Sequence, residues 1–215
     1  MEIAYSQLHN TNDIHFNDAL LIYLKAFPSN ERQPISVLKR RIEEGRSHLY
    51  LGSHRDEVVC LAFLYNFNES KFVFLDYMAV TDKFRNHKIG SRFFSFLIEK
   101  VVSAGKYLLL EVENYLFGDN TIQRKKRINF YICNGAYILK DTPYILPPLD
   151  NTSPTEMTLM IAPKYESDYL DRTEIESIFK LLYFELYEQP ENDILLQSIL
   201  RRIPDQVIME NEIIE

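Results

Sequence analysis

The chain has 215 residues, is 46% hydrophobic and carries a formal net charge of −7, which is enough apolar material for one well-filled domain with an appendage. No apolar run reaches bilayer length, the opening MEIAYSQLHNTND lacks the charged-then-apolar order of a signal peptide, and the two cysteines, Cys60 and Cys133, fit neither a disulfide framework nor a zinc spacing; a cytoplasmic protein without membrane or metal, both thiols buried, is expected. Residues 164–215 hold 13 acidic and 5 basic side chains, so a near-neutral body precedes an acidic tail, and a nucleic-acid partner is disfavoured.

In chain order, MEIAYSQL alternates as a first strand. Ala19 to Phe27 reads as a helix closed by Pro28, and a second helix runs from Pro34 to the stop at Gly45. His48 to Gly52 and Glu57 to Phe67 are strands joined through the hairpin-type residues SHRD. Phe72 to Val80, FVFLDYMAV, has the aromatic, two-sided apolar character of a buried strand, with Phe72, Phe74, Asp76, Met78 and Val80 on one side. From Gly90 the period turns helical, carried by Phe93, Phe94, Leu97, Ile98 and Val101. Tyr107 to Glu113, YLLLEVE, is the next strand, which a helix of this length returns parallel to its predecessor; it places Glu111 and Glu113 opposite Leu108 and Leu110. Asn120 to Asn134 forms a helix with the basic run QRKKR, stopped at Gly135. Ala136 to Lys140 and Met157 to Ile161 are closing strands, linked by the proline-rich DTPYILPPLDNTSPT, too long to be slack. In the tail, Thr173 and Glu176 make a capping box for a helix whose stripe is Ile175, Ile178, Phe179, Leu182, Tyr183 and Leu186, and a shorter helix ends at Pro204.

The turn between the Phe72–Val80 strand and its helix is the most chemically suggestive stretch. It carries Lys83, Arg85, His87 and Lys88, and the first amide hydrogens of the helix point into it. Unpaired donors, the helix dipole and nearby cations together outline an anion site suited to a phosphate.

This order of elements, with MAVTDKFRNHKIG, LLLEVEN and RINFYICNGA, resembles the acetyl-CoA-dependent N-acetyltransferases of the GNAT superfamily. Their signature has Arg or Gln, two residues, Gly, one residue, then Gly or Ala; Arg85, Lys88 and Gly90 stand at those places. The helix with Arg127, Phe130 and Tyr131 and the loop Tyr144, Pro147, Pro148 are similar to a bacterial branch of the superfamily. The resemblance covers residues 1–163 and leaves 164–215 as an acidic helical extension. It implies an α/β (α+β) fold: a mixed, mostly antiparallel sheet with a central splayed parallel strand pair flanked by helices. It also implies an acetyl-CoA cofactor, with Met78, Ala79 and Val80 offering backbone groups to its pantetheine arm and Arg85, Asn86, His87, Lys88, Ile89, Gly90 and Ser91 wrapping its pyrophosphate. Lys88 departs from the pattern, since a glycine usually lets the backbone close there.

Acetyl transfer to an amine needs a neutral nucleophile, a polarised carbonyl and a proton for the leaving thiolate. Tyr131 matches the family's position for the acid. Asp76, Glu111 and Glu113 are candidates for the base, with Glu111 favoured by the alternation of its strand; each also reads as a partner for QRKKR. Tyr144 is expected to line a pocket for a small-molecule or peptide amine. The competing reading is a non-catalytic acyl-CoA sensor or assembly module on the same fold, and the tail's stripe either covers the chain's own sheet or makes a homodimer.

Overall fold

Strands β1 (Ala4–Leu8), β2 (Ser47–His54), β3 (Glu57–Asn66) and β4 (Phe72–Val80) form an antiparallel meander in the order β1-β2-β3-β4. They belong to the first of two compact units, Met1–Lys100 and Val101–Glu215, of a computed structural model that describes residues 1–148 and 154–215. Helices α1 (Ile14–Ala26) and α2 (Ile35–Glu43) cover this sheet, and Phe16, Ala19, Tyr23, Leu38 and Ile42 pack on Leu49, Leu61, Phe63 and Tyr77 in one apolar cluster. Helix α1 begins five residues before the expected Ala19, because the Asp13 side chain accepts from the His15 amide and caps the helix there.

Two irregularities shape the meander. Gly52 opposes Cys60, and a Cβ at Gly52 would lie 2.4 Å from the Cys60 sulfur, so only glycine lets the strands close. On β4, Tyr77 pairs with Phe63 and Leu75 with Leu64, leaving Asp76 between them as the extra residue of a β-bulge. The strict alternation expected for FVFLDYMAV therefore breaks at Asp76. Asp76 and Tyr77 are successive residues, yet both reach the layer of α1 and α2: Asp76 meets Arg41 of α2, and the Tyr77 ring packs edge-on against Tyr23 and Phe27.

In the second unit, β5 (Tyr107–Glu113), β6 (Tyr137–Leu139), β8 (Thr155–Ala162), β9 (Tyr169–Asp171) and β10 (Gln206–Glu210) run in the order β5-β8-β6-β10-β9, and the short β7 (Ile145–Leu146) pairs with β8. Its pairings are antiparallel. Helix α3 (Ile89–Ser103) precedes β5, and α4 (Thr121–Cys133) comes after it. Gly135 ends α4 at φ 92°, where its own amide and that of Ala136 return to the Ile132 and Tyr131 carbonyls. Cys133, expected to be buried, is exposed on the last turn of α4, while Cys60 is buried as expected.

The acidic tail is woven into this second unit. Strands β9 and β10 escape a reading of the sequence because each is short and β9 has no apolar alternation; β10 pairs with β6 through Met209 and Glu210. The capping box of α5 (Arg172–Lys180) is formed by Asp171 and Glu174, not Thr173 and Glu176; Glu176 instead pairs with Arg172 at 2.8 Å. The expected long helix changes to a π-helical turn over Leu181–Leu186, and α6 (Ile194–Leu200) comes next. Ile175, Ile178, Phe179, Leu182, Tyr183 and Leu186 are all buried. Of the proline-rich connection, residues 149–153 lie outside the described residues. Among the described residues no helix is long and apolar enough to cross a membrane.

Candidate active site

In the first unit, β4 delivers Met78, Ala79 and Val80 to a 3-10 turn at Asp82–Phe84 and then to residues 85–91. The Thr81 amide returns to Val59 at 2.9 Å, ending the ladder, and the Arg85 amide bonds the Asp82 carbonyl at 3.2 Å. Asn86 and Lys88 are left-handed, at φ 64° and 57°, and the His87 Nδ1 lies 2.8 Å from the Arg85 carbonyl oxygen. The first helical bond after the turn runs from the Arg92 amide to the Lys88 carbonyl at 3.1 Å. The amides of Ile89, Gly90 and Ser91 thus precede the hydrogen-bonded ladder of α3 and are available to an anion. Of the turn's cations, Lys83 pairs with Glu57 at 3.2 Å and Arg85 with Asp82 at 2.9 Å. Lys88 is exposed and makes no ion pair among the described residues, so its charge projects into solvent and its side chain fills no space behind the turn.

The bulge residue Asp76 is 3.3 Å from the Arg41 guanidinium, and their side chains are 8% and 4% exposed. Burial pushes the Asp76 carboxyl up to about 6, with Arg41 pulling it down. Arg41 lies over the Tyr65 ring at 5.2 Å from its centroid. Next to it, the Tyr77 hydroxyl donates to the Glu31 carbonyl at 3.1 Å and accepts from the Gln33 amide at 3.0 Å.

In the second unit, four of the expected residues are found on β5, on α4 and in the loop before β7. Glu113 is held by Arg124 at 2.9 Å and Arg127 at 3.0 Å. Glu111 accepts from Tyr144 on one oxygen and from Tyr187 on the other, each at 2.5 Å. Tyr144 is buried, and both burial and the Glu111 charge push its phenol well above the ordinary range. Tyr131 lies on α4, edge-on to Phe130; burial pushes its phenol up to about 12 against the pull of Arg127.

No protein-family model and no curated protein matches the chain. Its structure is similar to a Bacteroides thetaiotaomicron protein assigned to the GNAT family of acetyltransferases, with a TM-score of 0.73 and 21% identity over 87% of this chain and 99% of that one. The chain has the GNAT acetyltransferase fold. A Bacillus subtilis acetyltransferase in complex with CoA matches with a TM-score of 0.53 and 16% identity over 76% of this chain and 100% of that one. The ribosomal-protein-S18-alanine N-acetyltransferase of Escherichia coli matches at 0.55 and 18%, over 79% and 100%.

On the GNAT fold most of the sequence-expected residues, Tyr131 and Glu113 aside, fall into three groups. Residues 78–80 and 85–91 form one continuous run from strand end to helix start. Asp76 lies two residues before that run, joined to Arg41 rather than to QRKKR. Glu111 and Tyr144 are brought into direct contact, and Tyr187 joins them from outside the stretch the GNAT resemblance covered. Arg41 and Tyr187 carry no local motif; what marks each is a buried polar group whose partner is far away in sequence.

Proposed function

We propose that this protein is an N-acetyltransferase that moves the acetyl group of acetyl-CoA to a primary amine by direct attack. The observation that carries the reading is the turn at residues 85–91. Lys88 occupies the family's glycine place yet takes the left-handed conformation that favours glycine. The loop therefore takes the path a glycine would give it, with the Ile89, Gly90 and Ser91 amides at the start of a helix. The residues fit a diphosphate: these amides and the helix dipole would hold its oxygens, with Lys88 adding charge. The CoA-bound structure of the similar Bacillus subtilis enzyme supports the choice of cofactor.

Bound acetyl-CoA supplies an acetyl group already activated as a thioester. Tyr131 keeps its proton at neutral pH, because burial holds its phenol at about 12, and it is the acid that serves the leaving sulfur. Asp76, which faces the single cation of Arg41, and Glu111 are the two carboxylates assigned to the ammonium proton, whereas Glu113 is held by two cations, Arg124 and Arg127. Asp76, at about 6, has lost its proton at neutral pH and can accept another. A buffered thiol-release assay with acetyl-CoA and a panel of amines (peptide N-terminus, lysine, polyamine, aminoglycoside) tests the reading. Saturable, amine-dependent release of CoA is expected. Cofactor binding without release for any amine would favour the sensor role, and absence of binding would remove both.

A further inference from the structure

Glu111 is half-buried on a strand, flanked by Leu110 and Val112, and taking a carboxylate even partly out of water has a cost that its partners must offset. A hydrocarbon side chain would serve stability as well. Two buried phenols meet it instead, Tyr144 from the loop before β7 and Tyr187 from the end of the π-helical turn, one on each oxygen.

Backbone geometry brings Tyr187 to that place. Its amide bonds the Leu182 carbonyl five residues back at 3.0 Å, and one extra residue in a helical turn rotates the residues beyond it by about 100° relative to an unbroken α-helix. From the same turn, Tyr183 donates to the Ile145 carbonyl at 2.5 Å, tying down the strand that begins just after Tyr144. Tyr144 itself stacks on Phe179 of α5 with ring centroids 5.5 Å apart. Within the unit, Tyr144, Tyr183, Tyr187 and Asp193 are among the titratable groups acting on this cluster.

We propose that Tyr187 is a positioning residue which, with Tyr144, sets the orientation and the charge of Glu111, so that the C-terminal segment is part of the acetyl-transfer machinery. What the carboxylate is used for rests on the acetyltransferase reading; the clamp on it rests on geometry within the second unit alone. Hydrogen bonds donated to the ionised form keep it ionised to lower pH.

The test uses the full chain as wild type, Tyr187→Phe, Tyr144→Phe and Glu111→Gln, each checked for folding by circular dichroism. A 13C titration of glutamate-labelled protein reads the Glu111 midpoint, its signal being the one lost in Glu111→Gln. Calorimetry with acetyl-CoA and thiol release give Kd, KM and kcat. In Tyr187→Phe the midpoint should rise by about half a unit to one unit and kcat should fall about tenfold, with the acetyl-CoA Kd within about twofold of wild type. If Tyr187→Phe does not fold, Tyr144→Phe reads the same carboxylate, with the same shifts expected. An unmoved midpoint overturns the clamp, and a moved midpoint with unchanged kcat overturns its role in turnover. A wild type that gives no heat with acetyl-CoA removes the acetyltransferase reading and the role in turnover with it, while the titration still decides the clamp.

Discussion

Lys88 bears on the proposed cofactor site twice, through its backbone and through its charge. A left-handed lysine costs about 1–2 kcal/mol relative to a residue without a Cβ, and a glycine gives back about half of that in chain entropy. Lys88→Gly should therefore leave the melting temperature unchanged or raise it slightly, and weaken acetyl-CoA binding by less than about tenfold, through lost charge alone. Lys88→Glu, which keeps a side chain and inverts the charge, should weaken binding by tenfold or more in calorimetry. At the other end of the reaction, Tyr131→Phe should lower turnover at least about tenfold with cofactor affinity nearly intact; unchanged turnover would return the acid's role to water. The pH profile addresses the base. Asp76 loses its proton near pH 6 in the folded chain, so if it is the base, kcat/KM should fall as pH drops through about 6. In that case Asp76→Asn should abolish most of the rate, and a limb that persists there belongs to another carboxylate. Single residues were legible where a motif surrounds them, as at Arg85, Gly90 and Tyr131. Asp76 and Glu111 were legible as carboxylates on β4 and β5, while their partners Arg41 and Tyr187 were not, because a contact 35 or 76 residues distant leaves no local period.

Among the elements, the bulge in β4 and the π-helical turn after α5 achieve what regular structure cannot. Each inserts one residue and re-aims the side chains beyond it. For the bulge, the consequence is a buried ion pair between Asp76 and Arg41. Arg41→Leu leaves the carboxylate buried without its cation and should cost about 3–5 kcal/mol in a denaturant titration, whereas replacing both residues by apolar ones should recover most of that loss. Additive losses in the double variant would show that the two side chains do not act as a pair. Strands β2 to β5 and helices α2 to α4 were readable from alternation, capping and the glycine stops. A bulge looks in sequence like continued alternation, a π-helical turn looks like continued helix, and strands as short as β7 and β9 give no period at all.

At the scale of the molecule, the acidic C-terminal segment belongs to the fold of the second unit. Its strand β10 lies between β6 and β9, and Ile175, Ile178, Phe179 and Leu182 are each 0% exposed. We propose residues 1–163 as the acetyltransferase core and 164–215 as an extension on which that core depends. Truncation after Lys164 should therefore give aggregated or unfolded protein, because the edge of β6 and a broad apolar face would be laid open. A soluble, monomeric, folded product would contradict that dependence. The central claim, that the turn at residues 85–91 holds the diphosphate of acetyl-CoA, is tested most directly by titrating the full chain with acetyl-CoA in a calorimeter beside the Lys88→Glu variant. One saturable site per chain is expected in the wild type, with binding weakened about tenfold or more in the variant. Absence of heat at millimolar acetyl-CoA, or equal affinity for the two proteins, would contradict it.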